Sequence, residues 1–232
     1  MITVEFYNPA KYIDHTLLKP DATEKEIKRF CRDAAEFDFA AVCVNPSRVE
    51  YVSGILRESN IAICSVAGFP LGSCTTETKV FESIQAIEHG AKEIDAVINI
   101  GKLKDKEFSF VEFEIKKLAE ACHEKEAKLK VIVETCFLSS YEKQKVCELV
   151  AVAGGDFVKT STGFDPAGAD EEDIKLMRSV LVGTSVKIKA SGGINTLEQC
   201  YKMLEAGAER IGTSHGIEIV SEFIKIQNAG GE

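Results

Sequence analysis

Residues 93–134 of the chain read EIDAVINIGKLKDKEFSFVEFEIKKLAEACHEKEAKLKVIVE. Two short runs rich in β-branched residues, Glu93–Asn99 and Leu129–Glu134, bound this stretch and are typical of strands. Between them, apolar residues recur at helical spacing, at Val111, Ile115, Leu118 and Cys122. A strand, an amphipathic helix and a second strand in this order predict a βαβ unit with parallel strands.

The same alternation continues along the whole sequence. Eight runs are strand candidates: Tyr12–Thr16, Phe39–Val44, Ile61–Val66, Glu93–Asn99, Leu129–Glu134, Phe157–Thr160, Val186–Ala190 and Glu209–Gly212. Helix-start patterns occur at Thr23-x-x-Glu26 and Asn195-x-x-Glu198. The even spacing favours a single α/β domain over residues 1–232, a (β/α)8 TIM barrel, with 1–11 as an N-terminal extension and 227–232 as a flexible tail. An open, doubly wound sheet is the alternative that periodicity alone leaves open.

The composition limits the class of protein. Hydrophobic residues make up 45% and charged residues 28% of the chain, which is ordinary for a folded globular protein and argues against disorder. The net charge of −9 disfavours binding to nucleic acid or to an anionic membrane surface. No apolar stretch reaches the roughly 18 residues that a membrane span needs.

The cysteines and histidines indicate neither a disulfide framework nor a metal site. The eight cysteines form no C-x-x-C pair and mostly lie within apolar stretches, which favours reduced structural thiols. His89, His123 and His215 are scattered and make no ligand set. Because the chain also begins without a signal-peptide pattern, we expect a cytoplasmic protein.

A lysine ends one of the predicted strands, in the segment FVKTSTG (157–163). Strand alternation places Lys159 on the same face as Phe157. If that face lines the barrel, burial favours the neutral amine, which can attack a carbonyl group. At the ordinary lysine pKa of about 10.4, only about 1 in 2,500 amines is neutral at neutral pH. A side chain that reaches to the rim is the alternative interpretation.

The next predicted strand carries a second lysine, Lys189, near its end. Neighbouring strand ends lie close together, and like charges at short range depress each other's pKa. A cationic neighbour is therefore a way to activate an amine nucleophile. Lys187 has the same parity as Lys189, and a side chain that leaves the amino-terminal end of the barrel is its favoured interpretation.

Asp95 lies between apolar residues of a predicted strand. A buried carboxylate requires a partner, which a pair of lysines supplies, and it can also move protons directly or through water. Glu134 ends another strand and is interpreted as a supporting salt-bridge partner. Cys43 either lines the pocket or packs inertly. His15 suggests base chemistry, but no serine or cysteine completes a triad with it.

Two glycine-rich turns follow the last two predicted strands, Ser191–Ile194 and Gly212–Gly216. In TIM barrels the turns after the seventh and eighth strands often bind phosphate through backbone N–H groups and a helix N-terminus. The sequence therefore predicts a phosphate subsite here, on a chain that is acidic as a whole.

Together these motifs resemble the deoxyribose-phosphate aldolases, a family of class I (Schiff-base) aldolases. The resemblance runs from about Ile13 to Val220. The matching segments, in the order of the family, are IDHTLLKP (13–20), VCVNP (42–46), GFPLG (68–72), EIDAVINIG (93–101), VIVET (131–135), VKTSTGF (158–164), KASGGI (189–194) and IGTS (211–214). The segments KTSTG and KASGG are the most specific.

The resemblance implies a TIM barrel that reversibly cleaves 2-deoxy-D-ribose 5-phosphate to acetaldehyde and D-glyceraldehyde 3-phosphate, in deoxyribonucleoside catabolism, without metal or organic cofactor. In its terms Lys159 forms the Schiff base, Lys189 perturbs its protonation, and Asp95 donates and accepts protons. The residues that the resemblance implies for substrate binding are Asp14, Thr16, Cys43, Thr160, Gly163, Gly192, Gly193 and Ser214. The expected partner is a small-molecule sugar phosphate, with neither nucleic acid nor membrane, and the expected assembly is a homo-oligomer, a dimer or tetramer.

The chain departs from the family pattern at three positions. His215 stands in place of a serine, Asn195 in place of an arginine, and Lys187 in place of a glycine. The sequence leaves two other functions open. One is a Schiff-base aldolase for another sugar phosphate, and the other is a catalytically silent barrel that binds phosphate.

Overall fold

Eight parallel strands form a closed barrel in residues 7–229, the part of the chain that the structure, a computed structural model, describes. In chain order they are β1 Ile13–Leu17, β2 Ala41–Val44, β3 Ala62–Ala67, β4 Glu93–Val97, β5 Lys128–Ile132, β6 Phe157–Lys159, β7 Lys187–Ser191 and β8 Arg210–Thr213. Each strand pairs with the next, and β8 pairs with β1, so the sheet has no free edge. The predicted (β/α)8 barrel is confirmed and the open sheet is excluded.

Helices surround the barrel. Within the described residues they are α1 Glu24–Phe37, α2 Val49–Ile55, α3 Thr76–Glu88, α4 Ile100–Lys104, α5 Phe108–His123, α6 Ser140–Ala153, α7 Glu171–Val180, α8 Leu197–Glu205 and α9 Gly216–Ala229. Short 3-10 turns occur at Pro9–Tyr12, Pro46–Arg48 and Thr135–Phe137. No helix in the described part of the chain is long and apolar enough to cross a membrane.

Strand alternation separates two interiors. On β4, Ile94 and Ala96 face the helices and belong to one continuous apolar core. Glu93 and Asp95 face the barrel axis instead. Charged side chains that are almost fully buried fill much of that axis: Asp14, Glu93, Asp95, Lys130, Lys159 and Lys189. The barrel interior is therefore polar, whereas branched apolar side chains fill most barrels of this kind.

Local signals set the helix starts. Thr23 Oγ1 accepts the N–H of Glu26, and the Glu26 carboxylate accepts the N–H of Thr23, so the predicted capping box of α1 is confirmed. At α8 the capping box lies one residue later than predicted, with Thr196 and Gln199 as its members. The cap is the Thr196 hydroxyl, which accepts the N–H of Gln199 at 3.2 Å, while the N–H groups of Asn195 and Thr196 donate to Gln199 Oε1.

The predicted terminal segments lie partly outside the described residues, at 1–6 and 230–232. In the described part, Pro9–Tyr12 forms a 3-10 turn, and the Tyr7 ring packs against the rings of Tyr12 and Tyr201. Helix α9 continues to Ala229, so residues 227–229 are helical.

Candidate active site

Three side chains that the sequence singles out meet inside the barrel. Lys159 is the last residue of β6, Lys189 is its register partner on β7, and Asp95 lies on β4. The Nζ atoms of Lys159 and Lys189 each lie 2.7 Å from the same oxygen, Asp95 Oδ2. All three side chains are buried, so Lys159 does not reach out to the rim.

Carboxylates on two strands hold Lys189. Its Nζ atom lies 2.5 Å from Asp14 Oδ2 on β1, in addition to its contact with Asp95. Gly212 on β8 provides the space, because a Cβ atom there would lie 3.0 Å from Lys189 Cε. Burial would lower the pKa of Lys189, but Asp14 and Asp95 outweigh it and raise the pKa above its ordinary value. Lys189 therefore stays protonated.

Lys130 on β5 belongs to the same cluster, and sequence reasoning misses it. Its Nζ atom lies 2.9 Å from Asp95 Oδ1, 2.6 Å from Glu93 Oε2 and 3.2 Å from Cys64 Sγ. Burial would lower the pKa of Lys130, but the neighbouring carboxylates raise it well above its ordinary value. The signal that could have found it is a lysine between two apolar residues of a strand, the same signal that identifies Lys189.

Arg210 on β8 closes the base of the cluster. Its Nη1 atom donates to Asp14 Oδ1 at 2.5 Å and to Glu93 Oε2 at 2.9 Å. Its guanidinium lies over the ring of Phe157, with Cζ 5.5 Å from the ring centroid. The side chains of Asp14 and Glu93 are 0% and 4% exposed, and that of Arg210 is 13% exposed.

The charges of the cluster do not balance. Four cations face three carboxylates: Lys130, Lys159, Lys189 and Arg210 against Asp14, Glu93 and Asp95. Burial would raise the pKa of Asp95, but the ammonium groups lower it well below its ordinary value, so this carboxylate stays ionised. One cation is thus in excess in a poorly solvated interior. Lys159 is the one of the four that lines the cavity.

A cavity of about 230 Å³ opens above Lys159 at the carboxyl ends of the strands. Its lining includes five of the predicted substrate-binding residues: Thr16, Gly163, Gly192, Gly193 and Ser214. Lys19 and Asn195 line it as well, although the sequence assigns no role to Lys19. None of the described residues that line the cavity carries a carboxylate, so its surface suits an anion even though the chain is acidic.

The two glycine-rich turns form one wall of the cavity. Gly192 has a φ of 88° and lies so close to the loop after β6 that a Cβ atom would be 2.8 Å from Gly168 Cα. Thr213 Oγ1 donates to the carbonyl oxygen of Ile194 at 2.6 Å and ties the turns together. Helix α9 begins directly after them, and its first backbone N–H groups have no partner within the helix. His215 lies beside Ser214, with its Nδ1 atom 3.2 Å from Ser214 Oγ.

Three residues predicted to bind substrate lie outside the lining of this cavity. Asp14 is fully buried in the ion-pair cluster. Cys43 is fully buried in a small apolar cluster that contains Leu18, Cys64, Val66 and Phe69. Thr160 Oγ1 donates to the Ser191 carbonyl oxygen and accepts from the Ser191 N–H, both at 3.1 Å, and so joins β6 to β7. Direct contact of these three residues with substrate stays a prediction.

Other polar residues from the sequence lie away from the cluster. His15 is stacked between two phenylalanine rings on the helix side of β1, and burial lowers its pKa to about 4. Glu134 accepts the N–H of Thr162 at 2.9 Å instead of forming the expected salt bridge, and burial raises its pKa. Lys187 is exposed at the amino-terminal end of the barrel, with its Nζ atom 3.5 Å from Glu209 Oε2.

Among residues 7–229, two sets of side chains have possible metal-ligand atoms within 4.8 Å of one another. They are Cys43, Cys64 and Asp95, and Asp14, Cys64 and Glu93. In both sets the carboxylate oxygens already accept hydrogen bonds from the ammonium or guanidinium groups described above. These carboxylates thus act as counter-ions to the buried cations.

The sequence and the fold both match known aldolases. A profile described as DeoC/LacD family aldolase matches residues 9–222. The deoxyribose-phosphate aldolase of Aciduliprofundum boonei is 56% identical over 211 residues, which cover 91% of this chain and 95% of that protein. A solved structure described as QR15, an aldolase, has a TM-score of 0.90 and 44% identity, with 99% of each chain covered.

A second solved structure is described as a unique tetrameric structure of deoxyribose phosphate aldolase from Aeropyrum pernix. It has a TM-score of 0.88 and 30% identity, and the match covers 94% of this chain and 92% of that one. The profile match includes every strand of the barrel and every member of the buried ion-pair cluster. On the strength of this match and these relatives, the chain belongs to the DeoC/LacD family of aldolases.

Proposed function

We propose that the chain is a class I aldolase that reversibly cleaves 2-deoxy-D-ribose 5-phosphate to acetaldehyde and D-glyceraldehyde 3-phosphate, a step of deoxyribonucleoside catabolism. The observation that carries this proposal is the single oxygen, Asp95 Oδ2, that Lys159 and Lys189 share. It places an amine that can become neutral beside a permanent cation, at the base of a cavity. Family membership and the name of the relative that is 56% identical support the same reaction.

In the proposed reaction, neutral Lys159 attacks the aldehyde carbon of the open-chain sugar phosphate. Loss of water gives a protonated Schiff base, which draws electrons from the C2–C3 bond. That bond breaks as Asp95, through water, accepts the proton of the C3 hydroxyl, and D-glyceraldehyde 3-phosphate leaves. The remaining enamine is protonated and hydrolysed, which releases acetaldehyde and restores Lys159.

Asp95 is suited to this role because it is held on both oxygens. Lys130 contacts Oδ1 at 2.9 Å and Lys189 contacts Oδ2 at 2.7 Å. When Lys159 loses its proton and becomes covalently bonded to substrate, these two contacts persist. The carboxylate therefore keeps its position through the chemical steps, and a fixed acceptor needs little reorganisation.

The phosphate group of the substrate is assigned to the wall formed by Gly192, Gly193 and Ser214. Backbone N–H groups in the two turns and at the start of α9 are donors for its oxygens. Lys19 adds a positive charge at the rim of the cavity. This arrangement places the phosphate at the mouth and the aldehyde carbon at Lys159.

A Schiff-base aldolase for another sugar phosphate is the second candidate, because the matching family is described by two names, DeoC and LacD. A panel of sugar phosphates separates the two candidates, since acetaldehyde as a product belongs to the first. If the protein were instead a catalytically silent barrel that binds phosphate, no covalent adduct would form at Lys159.

We propose further that the chain forms a homo-oligomer in the cytoplasm. Large apolar side chains on the neighbouring helices α3 and α5 support an assembly, with Phe81 66% exposed and Phe113 49% exposed. The relative from Aeropyrum pernix, whose structure is described as tetrameric, supports it as well. The eight free thiols, most of them buried, fit a reducing compartment.

Replacing Lys159 with alanine removes the proposed nucleophile, so we expect no measurable cleavage. Incubation with acetaldehyde and reduction with borohydride should add one ethyl group to Lys159 of the wild type and nothing to the variant, as read by intact mass and peptide mapping. Lys175→Ala, on the exposed side of α7, is the control and should behave as the wild type. An adduct on another lysine, or no adduct in the wild type, would contradict the proposal.

Replacing Lys189 with leucine leaves three cations for three carboxylates. Lys159 then has no second ammonium group beside it on Asp95 Oδ2, and it is a neighbouring like charge that favours the neutral form of an amine. We expect activity at neutral pH to fall by about tenfold or more, which is the loss expected when the acid limb of the pH–rate profile moves up by one pH unit. The acid limb of the pH–rate profile should move to higher pH. Lys187→Leu, two residues earlier and exposed, is the matched control, and an unmoved profile in Lys189→Leu would refute the lysine-pair mechanism.

Replacing Lys19 with methionine tests the phosphate subsite. We expect the KM for the phosphorylated substrate to rise about two- to fivefold, the size of one exposed ion pair. The KM for unphosphorylated 2-deoxy-D-ribose should not change, because that sugar presents no anion at the rim. Lys25→Met on α1 is the control, and an equal effect on both substrates would argue against a charge contact.

Sedimentation velocity of the whole chain tests the proposed assembly. We expect a dimer or tetramer that dissociates when Phe81 and Phe113 are replaced with serine, because burial of their rings would no longer favour association. A monomeric wild type is the result that contradicts this proposal.

A further inference from the structure

A second buried ion pair lies between the helices α3 and α5. Lys79 Nζ on α3 and Glu114 Oε1 on α5 are 2.7 Å apart, and both side chains are 0% exposed. Thr76 Oγ1, in the first turn of α3, donates to the same carboxylate oxygen at 3.4 Å. The aldolase mechanism uses none of these residues.

A buried ion pair is a poor source of stability. The cost of removing two charges from water offsets most of their attraction, and apolar side chains of similar volume are often as stable or more so. A contribution to stability therefore does not explain why this pair is present. The other contacts of Lys79 and Glu114 indicate that the pair positions the loops around it.

The stem of Lys79 lies under the loop between β3 and α3. Gly68, the first residue of this loop, has a φ of 62°, and a Cβ atom there would lie 2.9 Å from Lys79 Cε. The Gly68 N–H donates to Glu82 on α3 at 2.8 Å. The next residue, Phe69, packs edge-on against Phe164, which lines the cavity, with their ring centroids 5.3 Å apart. Lys79 therefore supports the loop that carries Phe69, and Phe69 packs against one wall of the cavity.

The other member of the pair, Glu114, holds the loop after β4. Its Oε2 atom accepts the N–H of Asn99 at 2.8 Å, four residues after Asp95. The two loops also rest on each other, because Gly72 of the first loop lies against Ile98 of the second. A Cβ atom at Gly72 would be 1.9 Å from the Ile98 carbonyl oxygen. One ion pair thus contacts two touching loops at the mouth of the barrel.

We propose that Lys79 and Glu114 are positioning residues that hold the loops after β3 and β4, and through them the Phe69–Phe164 wall of the cavity. This inference rests on the proposed aldolase function. Glu114 supplies the acceptor that the Asn99 N–H requires, and Lys79 supplies the cation that a buried carboxylate requires. The Lys79 stem meanwhile fills the space under a glycine that has no side chain of its own.

The double variant Lys79→Met, Glu114→Leu tests the proposal. It replaces the pair with side chains of similar volume and leaves no buried charge unpaired. We expect it to fold, with an unfolding midpoint below that of the wild type because the Asn99 N–H loses its acceptor. The KM for deoxyribose 5-phosphate should rise about tenfold, the scale expected when groups around a substrate are slightly misplaced. The pH–rate profile should keep its shape, because the cluster around Asp95 is unchanged.

The double variant Lys117→Met, Glu120→Leu is the matched control. It removes an exposed ion pair from the same helix, α5, and should leave the KM unchanged. A Lys79→Met, Glu114→Leu variant that is folded and has the KM and kcat of the wild type would overturn the proposal.

Amide hydrogen exchange of the wild type gives a second test that does not depend on the variant folding. The N–H groups of Gly68 and Asn99 should exchange as slowly as those of the neighbouring strands, and fast exchange would overturn the proposal. Borohydride trapping distinguishes this inference from the function on which it rests. A wild type without an adduct would refute the aldolase function, whereas a trapped wild type with rapidly exchanging loops would refute only the positioning role.

Discussion

The carboxylate of Asp95 lies on the barrel axis and accepts hydrogen bonds from ammonium groups on three successive strands. Lys130, Lys159 and Lys189 are 35, 64 and 94 residues away from it in sequence. Only a closed barrel brings these strands around one point, since a flat sheet would hold β7 far from β4. Because an unpaired charge is very costly in such an interior, the carboxylate and its cations fix one another's positions. The role proposed for Lys159 depends on that arrangement rather than on its immediate sequence.

The two interiors of the molecule, the apolar core under the helices and the charged barrel axis, have different roles. Apolar residues between strands and helices, such as Ile94 and Ile115, form the continuous core that stabilises the fold. The barrel axis holds the ions, where buried pairs contribute little to net stability. Separation of the two allows the axis to carry an excess positive charge without weakening the packing that holds the barrel closed.

The sequence predicts best what depends on local pattern. The eight strands and the capping box at Thr23 follow from short-range spacing, and the structure confirms them. Local pattern also places Lys159, Lys189 and Asp95 on strands, and closure of the barrel brings the three together. Strand alternation also explains why Thr160 does not line the cavity, because it faces the opposite side from Lys159. The sequence alone could therefore have predicted that Thr160 does not line the cavity.

The remaining features depend on register between distant strands and on loop conformation. Asp14 lies near the amino-terminal end of β1, where its carboxylate contacts Lys189 and Arg210 instead of lining the cavity. Glu134 has a left-handed backbone conformation, with a φ of 54°, that turns its carboxylate toward a backbone N–H instead of a cation. No pattern of neighbouring residues reports such contacts, because each one depends on several elements meeting in space.

The burial of Lys159 beneath the cavity has a consequence for the order of binding and release. Under the proposed mechanism, the two-carbon half of the sugar stays covalently bonded to Lys159 while the half that carries the phosphate lies toward the mouth of the cavity. Cleavage of the C2–C3 bond therefore frees the triose phosphate first, and acetaldehyde follows only after hydrolysis. In synthesis the order reverses, because acetaldehyde has to form the enamine before the triose phosphate can react.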